Sequence, residues 1–86
     1  MNTDNCDLKS VKQLDMIDGS YHGDIKEHTR IQHGRGIYID KKNASVYEGW
    51  RFQNKREIYG RLIDGNGLIY KGQFKNNIPH GRGKVK

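Results

Sequence analysis

Cysteine, apolar residues and long apolar runs are all scarce in these 86 residues, and each shortage excludes something. The single cysteine, Cys6, has no partner for an internal disulfide. Cys6 sits in an acidic N-terminal stretch with no basic neighbour to depress its pKa, so a reactive thiol is not expected. No apolar run approaches the length of a membrane-spanning helix. The opening Met-Asn-Thr-Asp has neither a basic region nor an apolar stretch, and it is not Arg-rich, so neither a secretory signal nor a transit peptide is expected there. A soluble cytoplasmic protein is the default reading, and Asn43-Ala-Ser45 is then read as turn chemistry, not as a glycosylation site. Only 33% of residues are hydrophobic, 30% are charged, and the mean hydropathy is −1.02. Folding must offset roughly 1–2 kcal/mol of backbone entropy per residue, so a thick two-layer core is out of reach. A thin repeat array, or folding against a partner, remains.

The net charge of +6 is unevenly placed. Residues 1–18 hold two lysines against four aspartates, and residues 19–86 hold fourteen basic residues against six acidic ones. A basic body can meet acidic protein surfaces, anionic lipid or nucleic acid, and a plain solvated surface accounts for it equally well.

What the chain does have is tyrosine and glycine at fixed spacings. Tyr21-His-Gly23 is followed by a polar loop and Gly34-Arg-Gly36. Tyr47-Glu-Gly49 is followed by a polar stretch and Tyr59-Gly60, and Tyr70-Lys-Gly-Gln-Phe74 leads to Gly81-Arg-Gly83. Tyr21 to Tyr47 is 26 residues and Tyr47 to Tyr70 is 23, which suits one β-hairpin per unit. Side chains alternate along a strand, so each Tyr shares a face with the Gly two residues on. A glycine there leaves room for a ring from a neighbouring strand to lie flat over bare backbone. Asp40–Ala44 and Asp64-Gly-Asn-Gly67 read as turns, the second as a primed hairpin turn. Gln53–Glu57 and Asn76–Pro79 read as loops, because Pro79 cannot donate to a ladder. Upstream, residues 1–6 read as frayed. Leu8, Val11 and Leu14 fit a short helix, whereas residues 11–17 fit the worn second strand of a capping partial repeat, with Met16-Ile-Asp-Gly19 matching Leu62-Ile-Asp-Gly65.

This grammar resembles the MORN (membrane occupation and recognition nexus) repeat over about residues 20–86. Tyr70, Gly72, Phe74, Gly81 and Gly83 sit at the family's offsets, and Tyr21, Gly23, Gly34 and Gly36 follow with a longer loop. The second unit, with Tyr47, Gly49 and Gly60, departs more. Ile58 replaces the first glycine of its pair, and Arg51 stands where an aromatic is expected, flanked by Trp50 and Phe52. That leaves two readings for β-strand register here: a bulge, or apolar residues facing outward. The resemblance implies an all-β, elongated, single-layer antiparallel sheet of stacked hairpins. Its repeats span about 21–46, 47–69 and 70–86, after an N-terminal segment over 1–19.

No residue pattern points to catalysis. His22, His28, His33 and His80 lack cysteine partners and zinc-site spacing. Gly34-Arg-Gly36 and Gly65-Asn-Gly67 open no helix, so they are not phosphate loops. His80-Gly-Arg-Gly83 is read as repeat grammar, not as an RNA-binding segment. No enzyme activity, metal, cofactor or nucleic-acid partner is expected. The expected role is a scaffold that binds protein partners in a larger assembly, of the ciliary or cytoskeletal kind in which such repeats occur. A membrane-surface adaptor and a fragment of a multidomain enzyme are the alternatives. Candidate contact residues are Trp50 and Phe52 with Lys41, Lys42, Lys55 and Arg56; a basic ribbon adds Arg61, Arg82, Lys84 and Lys86. The strand after Gly83 ends without a cap, and an open edge of that kind is expected to meet a partner, a second copy or further sequence.

Overall fold

A computed structural model describes residues 8–86; Cys6 and the frayed stretch expected over residues 1–6 lie outside the described residues. Seven antiparallel strands form one sheet in chain order. They are β1 (Leu8–Met16), β2 (Gly19–Lys26), β3 (Gln32–Asp40), β4 (Ser45–Phe52), β5 (Lys55–Ile63), β6 (Ile69–Lys75) and β7 (Ile78–Val85). Extents of 40 × 28 × 16 Å describe an elongated single layer. The fold is all-β, as the periodicity requires. Of the two readings for the N-terminal segment, the strand holds and the helix does not: β1 pairs antiparallel with β2. The match of Met16 to Leu62 does not hold either. Leu14 lies opposite Tyr21, as Leu62 lies opposite Tyr70.

Two register rows organise the sheet. One runs Leu14, Tyr21, Tyr38, Tyr47, Leu62, Tyr70, Val85 across all seven strands. The next runs Val11, Gly23, Gly36, Gly49, Gly60, Gly72, Gly83. The rings of Tyr21, Tyr47 and Tyr70 lie over this glycine row. Each covers the glycine two residues along its own strand and the glycine opposite on the return strand, so the return-strand glycine lies under a ring from the neighbouring strand of the same unit. Each hydroxyl then donates to the carbonyl three residues on: Tyr21 to Asp24 (2.7 Å), Tyr47 to Trp50 (2.6 Å) and Tyr70 to Gln73 (2.9 Å). Tyr21, Ile25, Tyr47 and Phe74 are the buried hydrophobic core. We call this side the ring face and the other the open face.

The register of the second unit is now definite. Strand β4 pairs with β3 without interruption, and the irregularity is in the β4–β5 ladder between Gly49 and Arg51. The β2–β3 and β6–β7 ladders shift at the same place. In all three the return strand carries the extra residues, centred on Gly34, Ile58 and Gly81. All three have positive φ, at 119°, 66° and 70°. For Gly81 this conformation is unstrained, but a β-branched Ile58 is crowded there by about 1–2 kcal/mol. Ile58 is also exposed, so it recovers little by burial. Ile58→Gly is therefore expected to stabilise the chain by about 1 kcal/mol, after allowing for the added unfolded-state freedom, and to raise Tm by roughly 4–8 °C. Thermal unfolding that shows an unchanged or lower Tm would refute the strain.

The turns differ from expectation in their chemistry. The second and third hairpins close in two residues, Gln53-Asn54 and Asn76-Asn77, all with φ between 51° and 73°. Lys55, Arg56, Ile78 and Pro79 are thus strand residues, not loop residues. Pro79 sits opposite Phe74 in β7, a strand that pairs on one side only among the described residues. Asp64–Leu68 is not a two-residue primed turn. The Asp64 carboxylate accepts from the amides of Asn66 and Leu68, and among the residues expected to need positive φ only Gly67 has it. Asn54 and Asn77 also join units. Asn54 exchanges hydrogen bonds with the backbone of Gln32, and Asn77 with that of Arg56. Asparagine suits both tasks, since it tolerates left-handed φ and carries an acceptor.

Candidate functional site

A one-layer sheet has two solvent-facing sides and no interior cleft, so candidate sites are the faces. On the ring face the residue four after each tyrosine plugs the space beside the rings. Ile25 does this in the first unit and Phe74 in the third, where its ring meets Tyr47 and Tyr70 edge-on at 5.3 and 5.1 Å. In the second unit the plug is Arg51. It is only 8% exposed. Its guanidinium lies 5.1 Å from the Tyr38 ring centroid and 5.6 Å from that of Tyr47, and one Nη donates to the Asn54 carbonyl at 2.7 Å. Arg56 lies directly opposite in the β4–β5 ladder, with its guanidinium 5.5 Å from the Phe74 ring and 6.0 Å from the Tyr47 ring. Two arginines therefore stand side by side on an aromatic floor.

Their electrostatics are unbalanced. The one ion pair among the described residues, Arg61–Glu48 at 3.5 Å, is on the open face. Burial first, then the neighbouring Arg56 charge, pushes the Arg51 pKa below its ordinary value, and burial does the same to Arg56. Cation–π contact returns about 0.5–2 kcal/mol per arginine, whereas a buried donor without a partner costs about 1–3 kcal/mol. Arg51 Nε is such a donor, and Gln32 Oε1 is a buried acceptor without a partner. Arg51, Arg56, Gln32, Asn54 and Asn77 line one part of a groove of about 470 Å³, and Met16, Tyr38, Asp40, Ser45, Tyr47 and Leu62 line the rest.

On the open face Trp50 is 39% exposed and stacks beneath the Arg35 guanidinium at 5.6 Å. Trp50 and Tyr59 border one hollow with Ile37. Phe52, also on this face, is 52% exposed and rests on the His33 ring with centroids 4.2 Å apart. His33 accepts a hydrogen bond from the Gln53 amide at Nδ1, and burial together with Lys26 lowers its pKa. Among the described residues no group of three or more His, Cys, Asp or Glu is placed to hold a metal. No helix long and apolar enough to cross a membrane is present there either.

The structure separates the expected basic ribbon. Lys41 and Lys42 lie in the β3–β4 turn, and Lys55 and Arg56 follow the β4–β5 turn at the other end of β4. Eight residues of strand, about 26 Å at roughly 3.3 Å each, lie between them. Arg61 and Lys84 instead join Lys71 in one register row on the open face, with Arg82 and Lys86 beside them. Lys71 was legible as the residue between Tyr70 and Gly72, which alternation puts on the opposite face, but the motif reading passed over it. Arg51 was visible as a misfit; its burial was not. Gly23, Gly36, Gly49, Gly60, Gly72 and Gly83 pack in the glycine row with the rings of Tyr21, Tyr47 and Tyr70 over them, whereas Gly34 and Gly81 lie at the ladder irregularities against the Asp24 and Gln73 side chains, and Phe74 packs on the rings of Tyr47 and Tyr70.

No curated protein matches the chain. The family model of the MORN repeat matches residues 70–85, which are the third hairpin, Tyr70 through Val85. MORN repeats are in general non-catalytic modules of protein-binding or membrane-associated kind, and it is to these repeats that the third hairpin of this chain is similar.

Proposed function

We propose that this chain is a non-catalytic scaffold module that binds protein partners within a larger assembly in the cytoplasm, with a cytoskeletal or ciliary setting resting on the family resemblance. One observation carries the reading. The single layer leaves Ile37, Trp50 and Tyr59 exposed around one open-face hollow of about 700 Å³, with Arg35 stacked on the indole. Tryptophan, tyrosine and arginine around an apolar centre are the residues that dominate protein-interface energetics. Trp50 is the only tryptophan, so its fluorescence reports directly on the patch. The test is affinity capture from cell extract with the wild-type chain and the Trp50→Ala/Tyr59→Ala variant. The expected result is at least one protein retained by the former and lost with the latter. Identical capture by both would overturn the patch, and no capture would overturn protein binding.

A second reading has its own support. Arg61, Lys71 and Lys84 in one row, flanked by Arg82 and Lys86, put a dense positive strip on the open face of β5–β7. Anionic lipid would contribute roughly 1 kcal/mol per basic residue near the surface. Sedimentation with phosphatidylserine vesicles across a salt series tests it. The expected result is binding at low salt that fades as salt rises, and no binding at low salt removes the reading.

A further inference from the structure

The geometry points to a carboxylate-recognition site on the ring face, in which Arg51 and Arg56 together clasp one Asp or Glu side chain of a protein segment lying in the groove. The inference deepens the scaffold reading and rests on it, and it uses the opposite face from the Trp50 patch.

Three observations converge. First, Arg51 is nine-tenths buried, yet its Nε has no hydrogen-bond partner and it lines the groove. Nη2 is held by the Asn54 carbonyl, which fixes the guanidinium plane. Second, Arg56 is its register partner, so two cations face each other across one strand pair with no ion-paired carboxylate among the described residues. Third, the carboxylates whose charge reaches this region are engaged elsewhere. Asp40 accepts from the amides of Lys42 and Asn43 and from the Asn43 side chain, and Glu57 accepts from the Asn76 amide.

A planar anion is the missing partner. Guanidinium N–H groups form a flat fork that matches a carboxylate, and stacking on Tyr38, Tyr47 and Phe74 holds the forks in place. The source is a protein side chain, not a lipid headgroup. Arg51 is recessed between rings, where a bilayer surface cannot follow, while a single extended or helical segment fits a groove of about 470 Å³. Met16, Leu62, Tyr38 and Tyr47 give the groove an apolar and aromatic wall beside the polar Asp40 and Ser45, so the acidic residue is flanked by an apolar one that meets that wall. The chain's net charge of +6 favours the encounter.

The experiment selects binders of the full chain from a displayed random 12-mer peptide library and measures the enriched peptides by fluorescence anisotropy. The expected result is a fixed Asp or Glu beside an apolar residue. Changing that residue to Asn or Gln should weaken binding roughly thirtyfold or more, as should Arg51→Met and Arg56→Met. Arg51→Met keeps the volume of the plug, and Arg56→Lys keeps the charge without the fork, so a loss with Arg56→Lys nearly as large as with Arg56→Met supports planar recognition even if Arg51→Met folds poorly, and full binding by Arg56→Lys overturns it. In the free chain the Arg51 Nε–H is followed by ¹⁵N NMR, and it should shift on peptide addition. Enriched peptides without an acidic position, or indifferent to both arginines, overturn the site. If those peptides depend on Trp50 instead, protein binding stands and this site falls. Binding of phosphatidylserine vesicles that is lost with Arg51→Met assigns the pair to lipid and also overturns the proposal.

Discussion

Gly60→Ala is expected to lower stability by about 3 kcal/mol, which for a domain of this size is a Tm drop of roughly 12–24 °C. The backbone is not the reason, since Gly60 has no left-handed φ. An added Cβ would stand 2.5 Å from Tyr47 Cζ. A long flexible side chain could move away, but this ring cannot. It is 2% exposed, its hydroxyl is anchored to the Trp50 carbonyl, and Phe74, Arg51 and Arg56 pack around it. Displacing it forfeits one hydrogen bond, about 1 kcal/mol, and part of a ring burial worth roughly 3–5 kcal/mol in large-to-small substitutions. A double-mutant cycle isolates the contact. In a Tyr47→Ala background Gly60→Ala should cost close to nothing, because the ring it strikes is gone. Equal costs in both backgrounds would show that the glycine row serves the strand and not the ring.

Alkaline unfolding between pH 10 and 12 is the second large effect. The Tyr21 and Tyr47 hydroxyls are pushed up to about 12, chiefly by burial. The Asp24 charge adds to this at Tyr21, and Arg51 and Arg56 oppose it at Tyr47. The sign follows from linkage. The folded state binds these protons more tightly than the unfolded state, so their contribution is complete below pH 10 and is lost as pH rises towards 12. Two pH units correspond to about 2.7 kcal/mol for each ring, and about 5 kcal/mol together, comparable to the whole stability of a small domain. Urea midpoints measured from pH 9 to 12, alongside phenolate absorbance, check it. Tyr47→Phe should flatten roughly half of the slope, and a midpoint independent of pH over this window would refute the burial of both hydroxyls. On the acid side the lowered His33 pKa acts in the opposite sense. Its contribution is complete above the ordinary histidine pKa of about 6.5 and is lost as pH falls below it.

Much of the ring face was legible in the residues. Tyr and Gly two apart must share a face, because side chains alternate along a strand, and a glycine beside a ring has one evident use. The second glycine of each pair read as the return strand, and it is the residue each ring reaches across to cover. The hairpin turns were legible as polar stretches but not as two-residue closures. Asn54 and Asn77 carry both a positive φ and a bond to the previous unit, and the second task has no local signature. Pro79 misled for a physical reason: the rule against proline in a ladder applies where the amide must donate inward, not in every strand.

Sequence alone determined that this chain makes stacked hairpins with a ring-over-glycine core, because alternation, ring size and the absence of a Cβ are properties of the residues themselves. Tertiary structure decided the rest. Whether Arg51 faces water or lies between rings depends on where the extra residues of the ladder fall, and they fall in β5, so Arg51 points inward with Tyr47. Whether the basic residues form one surface depends on register across seven strands, and register divides them between two faces and two ends. Both follow from pairing between strands distant in sequence, which no local spacing encodes.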